Sequence, residues 1–257
     1  MTAAIVVGTA LLGLAVGSFL NVVIYRVPRK ESVVRPRSRC PRCGTQLAER
    51  DNIPVLSWLI LRGRCRTCRE PISARYPLVE LLTAALFGVV ALRIGWHPEL
   101  AAFLLFTAAL VAVSAIDLEL YLIPNRILYP ALGASIVLLC IAAAIHGEVH
   151  HLADAAISMA IAFAVFFAIH VISPRGLGFG DVRLSALLGL FLGWIGPPHV
   201  VVGLFLGFLL GAVVSVTLIA SGLRGRKDKI PFGPFLAAGA LLGVLVGNPI
   251  VRVWLHR

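Results

Sequence analysis

Eight apolar stretches divide this chain, at about residues 3–24, 77–95, 99–119, 123–145, 152–173, 182–196, 199–221 and 232–251. They repeatedly reach the ~20 residues a helix needs to cross a bilayer, whereas the strands of a membrane barrel alternate over ~10 residues. The pattern predicts an all-α integral membrane protein with about eight transmembrane helices. Composition agrees: 59% of the 257 residues are hydrophobic, 14% are charged and the mean hydropathy is +0.95. Those values exclude a water-soluble globular domain of this length.

Thirteen Lys or Arg but only four acids lie between Arg26 and Arg75, which places nine of the eleven net positive charges in one loop. A basic loop can bind nucleic acid, but Lys and Arg also gather on the cytoplasmic side of membrane proteins. The topological cause is the simpler one, so the expected surroundings are the lipid bilayer and no nucleic acid. No basic residue precedes the first apolar stretch, which predicts a retained first helix that starts outside. Connections 25–76, about 120–122, 174–181 and 222–231 then face the cytoplasm. The last carries Arg224, Arg226, Lys227 and Lys229, while the outer loop from His146 through Glu148 to His150 and His151 has no Lys or Arg. The expected organisation is a first transmembrane helix at 1–24, a cytoplasmic four-cysteine loop domain at 25–76, and a polytopic domain at 77–257.

Within that loop, Cys40-Pro-Arg-Cys43 and Cys65-Arg-Thr-Cys68 form two Cys-x-x-Cys knuckles. Four thiolates suit a tetrahedral Zn²⁺, whose binding can fold a segment too small for a core of its own. A closed four-sulfur shell offers no open position, so the zinc is expected to be structural. Disulfides are the alternative, but a cytoplasmic loop keeps its thiols reduced. Cys140, in the middle of the fourth stretch, reads as a small buried hydrophobe.

Carboxylates are costly in such a chain, which makes Asp117 and Asp181 the first functional candidates. The topology puts both at the cytoplasmic ends of their helices, at one depth. Two carboxyls brought together share a proton, so that one activates water while the other polarises a carbonyl, the chemistry of aspartic peptide hydrolysis. Gly178 and Gly180 precede Asp181 and permit unusual backbone or close approach, and Pro124, shortly after Asp117, suits a first helical turn. Taken alone, Asp181 could cap its helix and Asp117 could be an interfacial acid near Arg126. Glu119 points away from Asp117 on a helix, and Glu80 is a further buried-acid candidate that could support the site or the zinc loop. His146 and His150, four apart, could hold a metal, though solvated loop histidines are the expected reading. His170 reads as structural. A proton-coupled carrier is the rival class, but it would place acids near the bilayer midplane within inverted repeats.

The chain resembles the prepilin peptidase family, the membrane aspartic proteases that process type IV pilin and type II secretion pseudopilin precursors. The resemblance rests on Gly17-Ser-Phe-Leu-Asn21, on Arg37-Ser-Arg-Cys40-Pro-Arg-Cys43, on Asp51-Asn-Ile-Pro-Val-Leu-Ser-Trp58 with Gly63-Arg-Cys65-Arg-Thr-Cys68, and on Arg75-Tyr-Pro77-Leu-Val-Glu80. The two aspartate strings and Ile230-Pro-Phe-Gly233-Pro234 complete it. It implies that Asp117 and Asp181 are the catalytic pair, with Asp181 in the family's Gly-x-Gly-Asp motif. It also implies a multi-pass place in the cytoplasmic (inner) membrane, an active site facing the cytoplasm, and a prepilin or pseudopilin substrate cut just before its hydrophobic helix. Members with this cysteine loop commonly methylate the new amino terminus with S-adenosylmethionine; peptidase activity alone is the alternative. Asn125 and Arg183 stand where the family often has Asp and Lys.

Overall fold

The computed structural model describes residues 2–40, 42–147, 149–174, 176–225 and 228–255, with side chains through residue 247 and at Val251. Glu148, Arg226 and Lys227 lie outside the described residues. The chain forms two compact units, Met1–Trp96 and His97–Arg257.

In the first unit, α1 (Thr2–Arg26) and α3 (Arg75–Ile94) pack along one another, and the loop between them carries a 3-10 turn at Glu49–Asn52 and a short helix, α2 (Leu56–Ile60). Glycines set the contact: a methyl at Gly13 would stand 2.7 Å from Ala84 Cα, and one at Gly17 equally close to Glu80 Cα. Small residues four apart let helix backbones approach in lipid, where apolar side chains gain little by leaving their surroundings. Polar ties reinforce the pair and the loop that follows α1. Buried Asn21 donates to the Tyr76 carbonyl at 3.1 Å, and the buried Arg26 guanidinium donates to the carbonyls of Ser32 and Pro36.

The second unit holds α4 (Leu100–Leu120), α5 (Asn125–His146), α6 (Val149–Ile172), α7 (Phe179–Ile195), α8 (Pro197–Ala220) and α9 (Gly233–Leu255). Burial separates them into an inside and an outside. In α4, 78% of the apolar window is buried, against 33% in α5, 22% in α6 and 28% in α8. In α7 every described position from Val182 to Trp194 except Arg183 is buried. The aspartates therefore sit on the two innermost helices, which meet where Phe191 stacks on Phe106 at 4.2 Å and on the edge of Phe103 at 5.0 Å.

Outer helices turn apolar side chains outward, among them Ile141, Ile157, Ile161, Phe205 and Val213. Cys140 belongs with these. It is exposed on α5 and not buried, because a lipid-facing position accepts a small apolar side chain as readily as a core does.

Among the described residues, six helices, α1, α3, α4, α5, α6 and α8, are long and apolar enough to cross a membrane. The expected count of eight spans is not reached by that measure. With 17 residues, α7 is only ~25 Å long, and the apolar part of α9 is Gly233–Gly247. The chain is a multi-pass membrane protein with an all-α fold.

Candidate active site and four-cysteine centre

Asp117 closes α4. One turn later the chain reverses: Tyr121 takes a left-handed conformation (φ 52°) and donates its amide to the Asp117 carbonyl at 2.9 Å. Pro124 then precedes α5 as its N-cap residue, one position before the first turn. The Asp117 side chain is 5% exposed, while Glu119 two residues on is exposed, as the helical geometry requires. From α9, the Gly233 amide donates to Asp117 Oδ2 at 3.0 Å.

Asp181 lies in the first turn of α7, 8% exposed. Gly178 is the N-cap, its carbonyl accepts the Asp181 amide at 3.0 Å, and Asp181 stands at the third helical position, where a carboxylate suits a helix start. The helix-start role and a place in a site thus coexist. Neither Gly178 nor Gly180 has a positive φ. What both positions require is the absence of a side chain: a methyl at Gly178 would stand 3.1 Å from Asp181 Oδ2, and one at Gly180 would stand 3.0 Å from Ile123 Cβ.

Ile123 also lies against the Gly233 position, so the starts of α7 and α9 meet at this one side chain, and Asp117 of α4 reaches the same Gly233. Asp181 Oδ1 is buried without a hydrogen-bond partner among the described residues. Two carboxyls, one oriented by an amide and one with an oxygen left without a hydrogen bond, suit a site in which a proton is shared once the two are brought together.

Two further residues frame the site. Arg183 Nη1 donates to Asn125 Oδ1 and its guanidinium lies 4.4 Å over the Phe179 ring, tying the start of α5 to the start of α7. The two positions at which this chain departs from the family pattern are therefore partners. No one-dimensional signal links residues 58 apart.

Glu80 lies in the first unit. It is 7% exposed, accepts the Val55 amide at 2.7 Å and interacts with the Ser18 hydroxyl. It therefore supports the loop that contains the cysteines. Beside Ser18, a cavity of about 480 Å³ is lined by Arg26, Arg37, Ser38, Asn52 and Pro54.

The two knuckles of that loop share one backbone design. Cys40 donates its amide to Thr45 and Cys65 donates to Glu70, five residues on in both cases, while Gly44 and Arg69 return amides to the cysteine carbonyls. Gly44 and Arg69 both adopt φ near +60 to +70°. All four sulfurs lie within 4.8 Å of one another, and Cys40 Sγ and Cys68 Sγ are 3.7 Å apart. Zn–S bonds of ~2.3 Å in a tetrahedron require sulfurs about 3.8 Å apart, so the cluster fits a metal. Nearby, Arg66 holds Asp51 through a charged fork, 2.6 Å at its shortest, and keeps that carboxyl below the usual carboxylate range.

The histidines divide. His170 Nδ1 bonds the Leu177 carbonyl at 2.7 Å, a structural use. His146 and His150 do not share a helix, because Gly147 (φ 73°) ends α5 between them; His150 stacks on His151 instead.

Comparison with known proteins completes the picture. Residues 11–94 match the profile of the bacterial peptidase A24 N-terminal domain, and residues 104–216 match that of the type IV leader peptidase family. A prepilin leader peptidase/N-methyltransferase of Myxococcus xanthus is 45% identical over 85% of this chain, which spans 64% of that relative's length. Proteins of the same name in Aeromonas salmonicida and Pseudomonas aeruginosa are 38% and 35% identical, over 95% and 98% of this chain and 92% and 94% of their own lengths. No solved structure matches. None of these relatives points to a carrier, and the chain belongs to the type IV leader peptidase family.

Proposed function

We propose that the chain is a membrane aspartic endopeptidase that removes the cytoplasmic leader from type IV prepilin or pseudopilin precursors, with Asp117 and Asp181 as its catalytic pair. The observation that supports this reading is the burial of both carboxyls on the innermost helices, with Asp117 held by the Gly233 amide and the Gly180 and Gly233 positions both packed on Ile123. The ionised member takes a proton from the attacking water as its oxygen bonds the scissile carbonyl carbon. The protonated member donates to the carbonyl oxygen, giving a gem-diol; as the C–N bond breaks, the member that took the water proton passes it to the leaving amine and the other recovers its proton from a gem-diol hydroxyl. Gly178 and Gly180 serve by keeping the space beside Asp181 and Ile123 clear.

The four cysteines would hold a structural Zn²⁺, whose ligand set is closed and whose chemistry is to fold the loop. Glu80 supports that same loop through Val55. N-methylation of the exposed amino terminus, with S-adenosylmethionine as donor, is the second proposed activity. It is supported by the names of the relatives, and the cavity of the first unit is of the size that small-molecule sites have. We place the protein in the cytoplasmic membrane with the aspartates facing the cytoplasm, on the charge distribution of the loops.

The test is co-expression with a candidate prepilin and sequencing of the substrate's amino terminus. Asp117→Asn and Asp181→Asn should each reduce cleavage by at least ~10³-fold, within the range attributed to acid–base catalysis. Full cleavage by either variant would falsify the assignment.

A further inference from the structure

A second cluster of metal-ligating side chains lies at the other end of the second unit. His97, Glu99 and His146 offer one ligand atom each, and these three atoms all lie within 4.8 Å of one another. His146 Nε2 stands 3.4 Å from Glu99 Oε2, and the His97 and His146 rings are 5.8 Å apart between centroids. Glu99 Oε2 is buried and makes no hydrogen bond among the described residues.

We propose that His97, Glu99 and His146 bind a divalent transition-metal ion, Zn²⁺ in the first instance, separate from the four-cysteine centre. Two imidazoles and a carboxylate are a recognised zinc set. The spacing agrees, because ligands ~2.05 Å from a tetrahedral ion stand about 3.3 Å apart, close to the Nε2–Oε2 distance. Three protein ligands leave a fourth position open to water.

Position in the fold says what the ion does. Glu99 is the N-cap residue of α4, and His146 is the last residue of α5 before the left-handed Gly147. The ion therefore clamps the start of α4 to the end of α5. Glu99 and Asp117 are 18 residues apart along a helix, ~27 Å, so the clamp lies across the bilayer thickness from the carboxylate pair. It fixes the far end of the helix that carries Asp117 without touching the reacting groups.

The test uses the full chain in detergent, stripped of metal and titrated with Zn²⁺ against a chromophoric chelator. Wild type should bind two equivalents, the weaker of which is lost in His97→Asn and in Glu99→Gln. For either variant the affinity of that equivalent should fall by more than ~100-fold, beyond what an outer-shell change costs. The tight equivalent should persist, which shows that the variants are folded around the cysteines. Co²⁺ at the weaker site should give visible bands with no sulfur-to-metal absorption. A single equivalent in wild type, or a second one unchanged in both variants, overturns the proposal and leaves only an ion pair between His146 and Glu99.

Discussion

The amide of Gly233 donates to Asp117 Oδ2 at 3.0 Å, a bond between residues 116 apart that fastens the end of α4 to the start of α9. A methyl group at Gly233 would stand 2.8 Å from the same oxygen, inside contact distance. Gly233→Ala must therefore displace either the carboxyl or the helix start. Displacement of a catalytic group by ~1 Å can cost 10²-fold in rate. Leader cleavage should fall by about that factor while the protein still accumulates in membranes and retains its zinc. Wild-type turnover in this variant would show that the bond does not position the carboxyl.

The same helix is held from its other side by α8. A methyl at Gly239 would lie 2.2 Å from the Gly207 nitrogen, closer than any real contact. Gly239→Ala should force the two helices apart, with a cost of ~1–3 kcal/mol expected for overpacking. Because α9 carries Gly233, cleavage should decline together with thermal stability, whereas an alanine at the uncrowded Gly133 of α5 should change neither. Thermal melts in detergent alongside cleavage assays separate these outcomes, and equal behaviour of the two variants would contradict the packing argument.

Much of this was legible in one dimension. The apolar lengths located the eight long helices among the described residues, and the paired knuckles marked the four-cysteine cluster, because both signals are local. Long-range pairings were not legible. Gly233 reads as part of a Pro-Phe-Gly-Pro turn until the fold brings its amide to Asp117, and Arg183 and Asn125 read as two separate features until they touch. Likewise His146 pointed toward His150 by spacing, but Gly147 ended the helix and left it beside His97 and Glu99. Cys140 failed for a different reason: in a membrane, hydrophobicity no longer distinguishes inside from outside.

Metal removal should unfold the cysteine loop and leave the second unit intact. Among the described residues of 39–72 few side chains are buried, and the knuckles are held by isolated bridges and short backbone bonds. Purified protein should contain near-stoichiometric zinc at the cysteines, and a Cys40→Ser, Cys43→Ser double variant should lose it. Limited proteolysis should then cut between Arg39 and Arg75 in the variant and in chelator-treated wild type, but not in the zinc-loaded form. Equal protease resistance with and without metal would count against a folding role for zinc.

The last prediction concerns Val55, which is held at φ 60°, ψ −51°, with Leu56 donating its amide to Pro54 two residues back. This is a γ-turn of the strained kind, centred on a β-branched residue that almost never adopts it. Conformations of this sort cost ~1–3 kcal/mol and persist only when their surroundings enforce them. The enforcing group is Glu80, which accepts the Val55 amide at 2.7 Å from its buried place on α3. Glu80→Ala should therefore destabilise the first unit by ~1–3 kcal/mol, the cost of stranding a buried donor. Glu80→Gln keeps an acceptor oxygen and should lose less than half as much. Val55→Gly relieves the strain, so adding it to Glu80→Ala should recover about 1 kcal/mol of the loss. Zinc retention against a competing chelator reports the same order, wild type above Gln above Ala. A Gln variant as damaged as the Ala variant would mean that Glu80 acts through its charge and not through the turn it holds.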